Sequence, residues 1–192
     1  MTNILQLDSS ATGDASVTSR LNALVVETVG ADATVVRRDV SALPSITTER
    51  FAANSTSVED RTPEQRDLAS LGDDLIVELE LADVVVIAAP IYNFGVPSGL
   101  KSWMDLVARA GRTFRYTETG PEGQITNTRA IVVTASGGVP LGSAADFSSP
   151  HITTFLQFLG IDDITQIDAT GLMMNPGKIS EAETQVRALA VA

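Results

Sequence analysis

The sequence predicts an α/β fold: a doubly wound parallel sheet of five strands with helices on both faces. Three observations predict it. Residues 84–89 are an unbroken apolar run and 130–135 are apolar but for Thr134, both rich in β-branched side chains. Such runs suit central parallel strands with no solvent face. Around them, apolar residues recur at the spacing of one helix face. Strand and helix patterns alternate along the chain, and right-handed crossovers then place helices above and below the sheet.

Each element has its own signal. Residues 4–7 are a short apolar strand ending at Asp8, Ser9 and Ser10. Leu21, Leu24, Val25, Thr28 and Val29 give the first helix. Residues 34–36 read as the second strand, and the polar stretch 41–64 as a mobile surface loop. Thr62 as N-cap, Pro63 in the first turn and Gln65 three residues on mark a helix start. That helix carries Leu68, Leu71, Leu75, Ile76 and Leu79 on one face. After the strand at 84–89, Pro97 opens a helix with Leu100, Trp103, Met104 and Val107 inward. After the strand at 130–135, Ser149 and Pro150 begin a helix that Gly160 closes. Residues 164–167 form a weaker, edge-like strand. Ser180 to Glu183 has the capping-box pattern and predicts the last helix. Five strands and five helices make one domain over 1–192.

Composition narrows the chemistry. The chain has 192 residues, net charge -11, no Cys and one His. Without Cys there is no disulfide framework, thiolate zinc site, iron–sulfur cluster or cysteine nucleophile. One His makes a His-based triad or multi-His metal site a poor fit, and no metal is expected. The acidic balance argues against nucleic acid, which requires a basic face. No basic segment leads into a long apolar run at the N-terminus, and 84–89 is too short to span a bilayer. The expectation is a cytoplasmic protein without membrane attachment.

In doubly wound sheets, ligands bind outside the carboxyl ends of the strands. Three loops matter there. Residues 9–19 carry hydroxyls at Ser9, Ser10, Ser16, Thr18 and Ser19, without GxGxxG or GxxxxGK[ST]. Such a loop is either a helix-capping turn or an amide-and-hydroxyl cradle for phosphate. Asp8 and Asp14 oppose an anion there unless Arg20 reaches it. Residues 90–97 hold Tyr92, Asn93 and Phe94 between two prolines. They are either sheet-edge packing or a stiff platform for a heteroaromatic ring. Ser136, Gly137 and Gly138 follow a buried strand, so backbone can approach a ligand there, or simply turn into the next helix.

The run Tyr92-Asn93-Phe94-Gly95-Val96-Pro97-Ser98-Gly99-Leu100-Lys101-Ser102-Trp103 continues to Phe114-Arg115-Tyr116-Thr117 and Gly120-Pro121-Glu122-Gly123. It resembles the FMN-dependent NADH azoreductase and NAD(P)H quinone reductase family, a flavodoxin-like branch. The resemblance covers nearly the whole chain and is weakest at 41–61 and in the C-terminal helix. It implies strand order 2-1-3-4-5 and a homodimer with FMN near the subunit interface. It implies electron transfer from NADH or NADPH to FMN and then to quinones or azo compounds; the expected scheme is ping-pong, two electrons at a time. By position, Ser10, Ser16, Val17 and Thr18 correspond to the phosphate loop. Pro90, Ile91, Tyr92, Asn93 and Phe94 correspond to the segment along the ring and ribityl chain. Ala135, Ser136, Gly137 and Gly138 correspond to the glycine loop at the ring's other edge. Ser136 and Pro140 depart from many relatives where the open flavin face lies.

The flavin supplies the chemistry in this reading, so no catalytic acid or base is assigned. Phe94 and Tyr116 are read as acceptor-pocket walls for flat substrates, with interface packing as the competing role. Residues 101–129 hold five basic residues against three acidic ones. They form either a local positive field for the donor's phosphates or an ion-pair network. The rival reading of the whole chain is a flavodoxin-type carrier that binds FMN without oxidising NAD(P)H.

Overall fold

The computed structural model describes residues 1–191. Five parallel strands form the main sheet: β1 (Asn3–Asp8), β2 (Thr34–Asp39), β3 (Val84–Pro90), β6 (Arg129–Ala135) and β7 (Ile164–Ala169). Their order is β2-β1-β3-β6-β7. Counting only these five, it is 2-1-3-4-5, as the resemblance implies. Every residue of β3 is buried, and so is β6 after Arg129. These two strands pair in register from Val84 opposite Arg129 to Pro90 opposite Ala135.

Alternation along the strands divides the core in two. Leu5, Leu7, Val85, Ile87 and Val132 face α3 (Pro63–Glu80), α4 (Ser98–Val107) and α5 (Ser148–Leu159). Ile4, Val84, Val86, Ile131 and Val133 face α1 (Val17–Val29) and α6 (Lys178–Ala188). Trp103 is fully buried in the first layer, edge-on to Phe155. Thr62 and Gln65 form the expected reciprocal cap at the start of α3. Gly160 closes α5 in the left-handed conformation. No helix among the described residues is long and apolar enough to cross a membrane.

Several elements differ from expectation. The stretch 41–64 contains α2 (Thr48–Ser55) and a 3₁₀ turn, Val58–Asp60. Thr47 caps α2 by accepting from the Arg50 amide, and Ala53 is fully buried. Arg50 Nη1 also donates to the Leu68 carbonyl of α3 at 2.6 Å. Polarity here serves capping and docking, which a composition count cannot separate from mobility. The second strand runs on to Asp39 because Arg37 and Arg38 find carboxylate partners across it, Asp8 and Glu78. The last helix begins at Lys178, two residues before Ser180, and has no side-chain cap. Lys178 Nζ is drawn to Asp168 Oδ2 at 3.1 Å, which fixes the earlier start.

The segment carrying Phe114 and Tyr116 is a hairpin, β4 (Phe114–Thr117) with β5 (Gly120–Gly123). Phe114 is buried against Phe158, with ring centroids 4.6 Å apart. At the hairpin's end, a Cβ on Gly123 would sit 2.1 Å from backbone atoms of Leu159 and Gly160. Gly123→Ala is expected to cost about 3 kcal/mol, the upper end for overpacking, read as a urea-unfolding midpoint. A loss below ~1 kcal/mol would show that the hairpin can lift away from α5.

Candidate functional site

The carboxyl edge of the sheet gathers four loops. In the first, Ser9 is turned inward, its hydroxyl donating to the Ala88 carbonyl at 2.5 Å, so it is spent on the fold. Ser10 Oγ meets Thr12 Oγ1 at 3.1 Å and the Tyr92 hydroxyl at 3.0 Å. Ser16 occupies the N-cap of α1 but makes no cap hydrogen bond; its hydroxyl pairs with Thr18 Oγ1 at 2.8 Å. The first helical amides, from Val17 on, therefore lack a side-chain acceptor at the positive end of a 13-residue helix.

The cation nearest this loop is Arg37, not Arg20. Arg20 borders a separate groove with Glu27 and Glu183. Arg37 Nε holds the buried Asp8 carboxylate at 2.8 Å, and its Nη2 pairs with Asp14. The hydrogen bonds it donates to Asp14 and then to Asp8 raise its pKa further. The two acids that oppose an anion are thus occupied by one guanidinium. The sequence signal for it was a basic residue near the end of the strand that pairs with β1.

The second loop is held in a strained form. Pro90 ends β3, and the Ile91 amide donates to the Ala135 carbonyl at 2.8 Å. Tyr92 and Gly95 exchange two backbone hydrogen bonds of 3.1 and 3.0 Å around a tight turn. Its central residues are Asn93 and Phe94, with φ of 48° and 74°. Two successive side-chain-bearing residues at positive φ are uncommon, and such strain collects at ligand sites. The Tyr92 hydroxyl also accepts from the Ala11 amide at 3.2 Å. The Phe94 ring is 53% exposed, and its carbonyl accepts from the Phe147 amide at 3.0 Å.

The third loop leaves β6 through Ala135 and Ser136, both buried. Ser136 Oγ donates to the Val139 carbonyl and accepts from the Gly171 amide at 3.1 Å. Its carbonyl and that of Gly137 accept from Leu172 and Met173 at 3.0 and 2.8 Å. The loop after β7, which sequence reasoning missed, is therefore the brace of the glycine loop. Gly138 has open space where a Cβ would stand, whereas Gly137 is roofed by Met173.

A family model described as the flavodoxin-like fold matches residues 2–190. The FMN-dependent NADH:quinone oxidoreductase of Erythrobacter litoralis is 44% identical over 99% of this chain and 100% of its own. The FMN-dependent NADH:quinone oxidoreductase 1 of Jannaschia sp. is 45% identical over the same shares. The chain belongs to this flavodoxin-like family. A solved FMN-dependent NADH-azoreductase from Bacillus anthracis, in complex with FMN, shares the fold at 24% identity. Its TM-score is 0.86, covering 100% of this chain and 98% of that one.

Within the flavodoxin-like frame, one expected grouping does not form in a single chain. Phe94 lies at the carboxyl edge. Tyr116, 76% exposed, stands on the hairpin packed against the end of α5, at the amino edge. It borders a cavity with Phe51 and Arg109 instead. The positive field over 101–129 is also largely cancelled. Lys101 pairs with Asp105, Arg109 with Asp73, Arg112 with Glu80 and Arg115 with Glu122. His151 is exposed in the first turn of α5. Among the described residues no cluster of His, Asp and Glu could hold a metal ion.

Phe94→Gly and Phe94→Ala both remove the ring, but only glycine is free of the left-handed penalty. The glycine variant is expected to be the more stable by about 1 kcal/mol in thermal or urea unfolding. The reverse order would contradict the positive φ at this position.

Proposed function

We propose that the chain is an FMN-dependent oxidoreductase that passes two electrons at a time from NADH to quinones or azo compounds. NADPH is the alternative donor. The observation that carries this is the pairing of an uncapped helix start, lined by Ser16 and Thr18, with the strained Tyr92–Gly95 turn across the same edge. Uncapped amides and hydroxyls fit a phosphate without a lysine. A turn and a glycine pair that present backbone fit the polar edge of a flavin. The 44–45% identity to relatives named for this activity supports the same reading.

The chemistry FMN supplies when bound is two-electron transfer between a nicotinamide and an acceptor. The chain's own residues bind and orient. Ser10, Ser16, Val17 and Thr18 would hold the FMN phosphate through hydroxyls and amides. Pro90 to Phe94 and Ala135 to Gly138 would hold the ring. Phe94, exposed at the same edge, would flank the place that donor and acceptor use in turn, the ping-pong order of this reading. No side chain is assigned a proton in this scheme.

The reading includes a homodimer. A wall built from both Phe94 and Tyr116 requires two copies, because one chain separates them. Phe147 and Met173, both well exposed beside the same edge, are apolar side chains that a second copy would cover. A single species of monomer mass in solution would remove this part of the reading.

Anaerobic mixing with NADH is expected to bleach the bound flavin within a turnover. A flavin that binds yet stays oxidised would favour the carrier reading instead. Ser16→Ala is expected to weaken FMN about tenfold, as for loss of one hydrogen bond to a charged group. Stability should fall by about 1 kcal/mol, because no cap bond is lost but the buried Thr18 hydroxyl loses its partner. Fluorescence titration reads the affinity, and an unaltered value would take Ser16 out of the phosphate site.

A further inference from the structure

A cavity of about 370 Å³ opens beside the proposed phosphate loop, where β1 ends at Asp8 and β2 at Asp39. It is lined by Asp8, Ser10, Gly13, Asp14, Arg37 and Asp39. Ser10 and Gly13 belong to the loop itself. Three of the six are acids, and one is a base. Without Arg37, a phosphate dianion at the start of α1 would face three carboxylates and no cation. Amides and hydroxyls alone have to overcome that repulsion in a chain of net charge -11.

Arg37 is anchored, yet part of it is unused. Its Nε donates to Asp8 Oδ2 at 2.8 Å, and its Nη2 donates to Asp14. The Asp8 side chain is 6% exposed and also accepts from Gln6 Nε2 and Asn22 Nδ2, both at 3.3 Å. One end of the guanidinium is therefore fixed to a buried group. Asp39 is turned to its own loop, accepting from the Ser41 amide at 2.8 Å. A guanidinium has five N–H groups. Among the described residues Nε and Nη2 make hydrogen bonds, and Nη1 makes none. The Arg37 side chain is 53% exposed where it lines the cavity.

The remaining donors suit one ligand chemistry. A planar charged fork pairs best with an oxyanion that offers two oxygens side by side. A free surface arginine would lose rotamer freedom in binding it. This one is already held at two atoms, so less is lost. Asp14, which it holds, lies three residues before Val17, at most ~11 Å along the chain. The guanidinium thus stands beside the uncapped amides of α1.

We propose that Arg37 is a binding residue of the phosphate site and sets its preference for a phosphorylated flavin. Held by Asp8 and Asp14, it offers its remaining N–H groups to the phosphate. The inference rests on the FMN reading above. Flavin fluorescence titration tests it, with FMN and with riboflavin, which has the same ring and ribityl chain without the phosphate. Arg37→Met is combined with Asp8→Asn, so that no buried carboxylate is left without its cation. The double variant should bind FMN at least about tenfold more weakly, with riboflavin unmoved. Asp8→Asn alone should not weaken FMN. Asp14→Asn removes a negative charge and frees Nη2, so it should tighten FMN about threefold, again with riboflavin unmoved. An equal loss for FMN and riboflavin, or FMN weakened by Asp14→Asn, would make Arg37 a brace of the loop and overturn the inference. FMN bound equally well by wild type and double variant would also overturn it, while sparing the FMN reading. Wild-type protein that binds neither flavin would overturn that reading and this inference with it.

Discussion

Everything in this molecule hangs on two strands that have no solvent face. β3 and β6 are sealed above by α3, α4 and α5 and below by α1 and α6. Parallel strands buried in this way can be joined only by crossovers, so no tight hairpin links any two of them. The chain must leave each strand at the carboxyl end and return at the amino end. Polar backbone that the sheet cannot pair is thereby gathered at the two edges, and the carboxyl edge receives the loops that start helices. The site is a consequence of this traffic.

Much of that was legible before any coordinates. The β-branched runs at 84–89 and 130–135 announce their burial through composition alone. Thr62, Pro63 and Gln65 specify a helix start by local chemistry, and Gly160 its end by a conformation that other residues avoid. These signals share one property: each is complete within a few neighbouring residues. The three loops of the edge were legible for the same reason, since each directly follows a recognisable strand.

What escaped depended on partners far away in sequence. Arg37 matters because parallel pairing brings β2 beside β1 and so sets a guanidinium against Asp8, 29 residues earlier. The stretch around Phe51 looked like polar filler, because its reason to be helical lies in α3. The basic run 101–129 carries an excess of positive charge in one dimension and very little in three, where Asp73 and Glu80 come in from α3. Phe94 and Tyr116 are only 22 positions apart, yet α4 carries the chain from one edge of the sheet to the other between them. Nearness along the chain says little once a crossover intervenes.

The four edge loops are lashed together in series. Ser10 holds the Tyr92 hydroxyl, the Phe94 carbonyl holds Phe147, and Ser136 holds the loop after β7. None of these ties is strong alone, but no loop can be altered as a separate module. A substitution that loosens one changes the background against which its neighbours are judged, so paired substitutions across loops will deviate from additivity. For a lineage carrying this edge, a change to an exposed side chain at its rim disturbs fewer of these ties than a rebuilt loop does. The fold therefore channels its own history: variation is cheap at the rim and correlated beneath it.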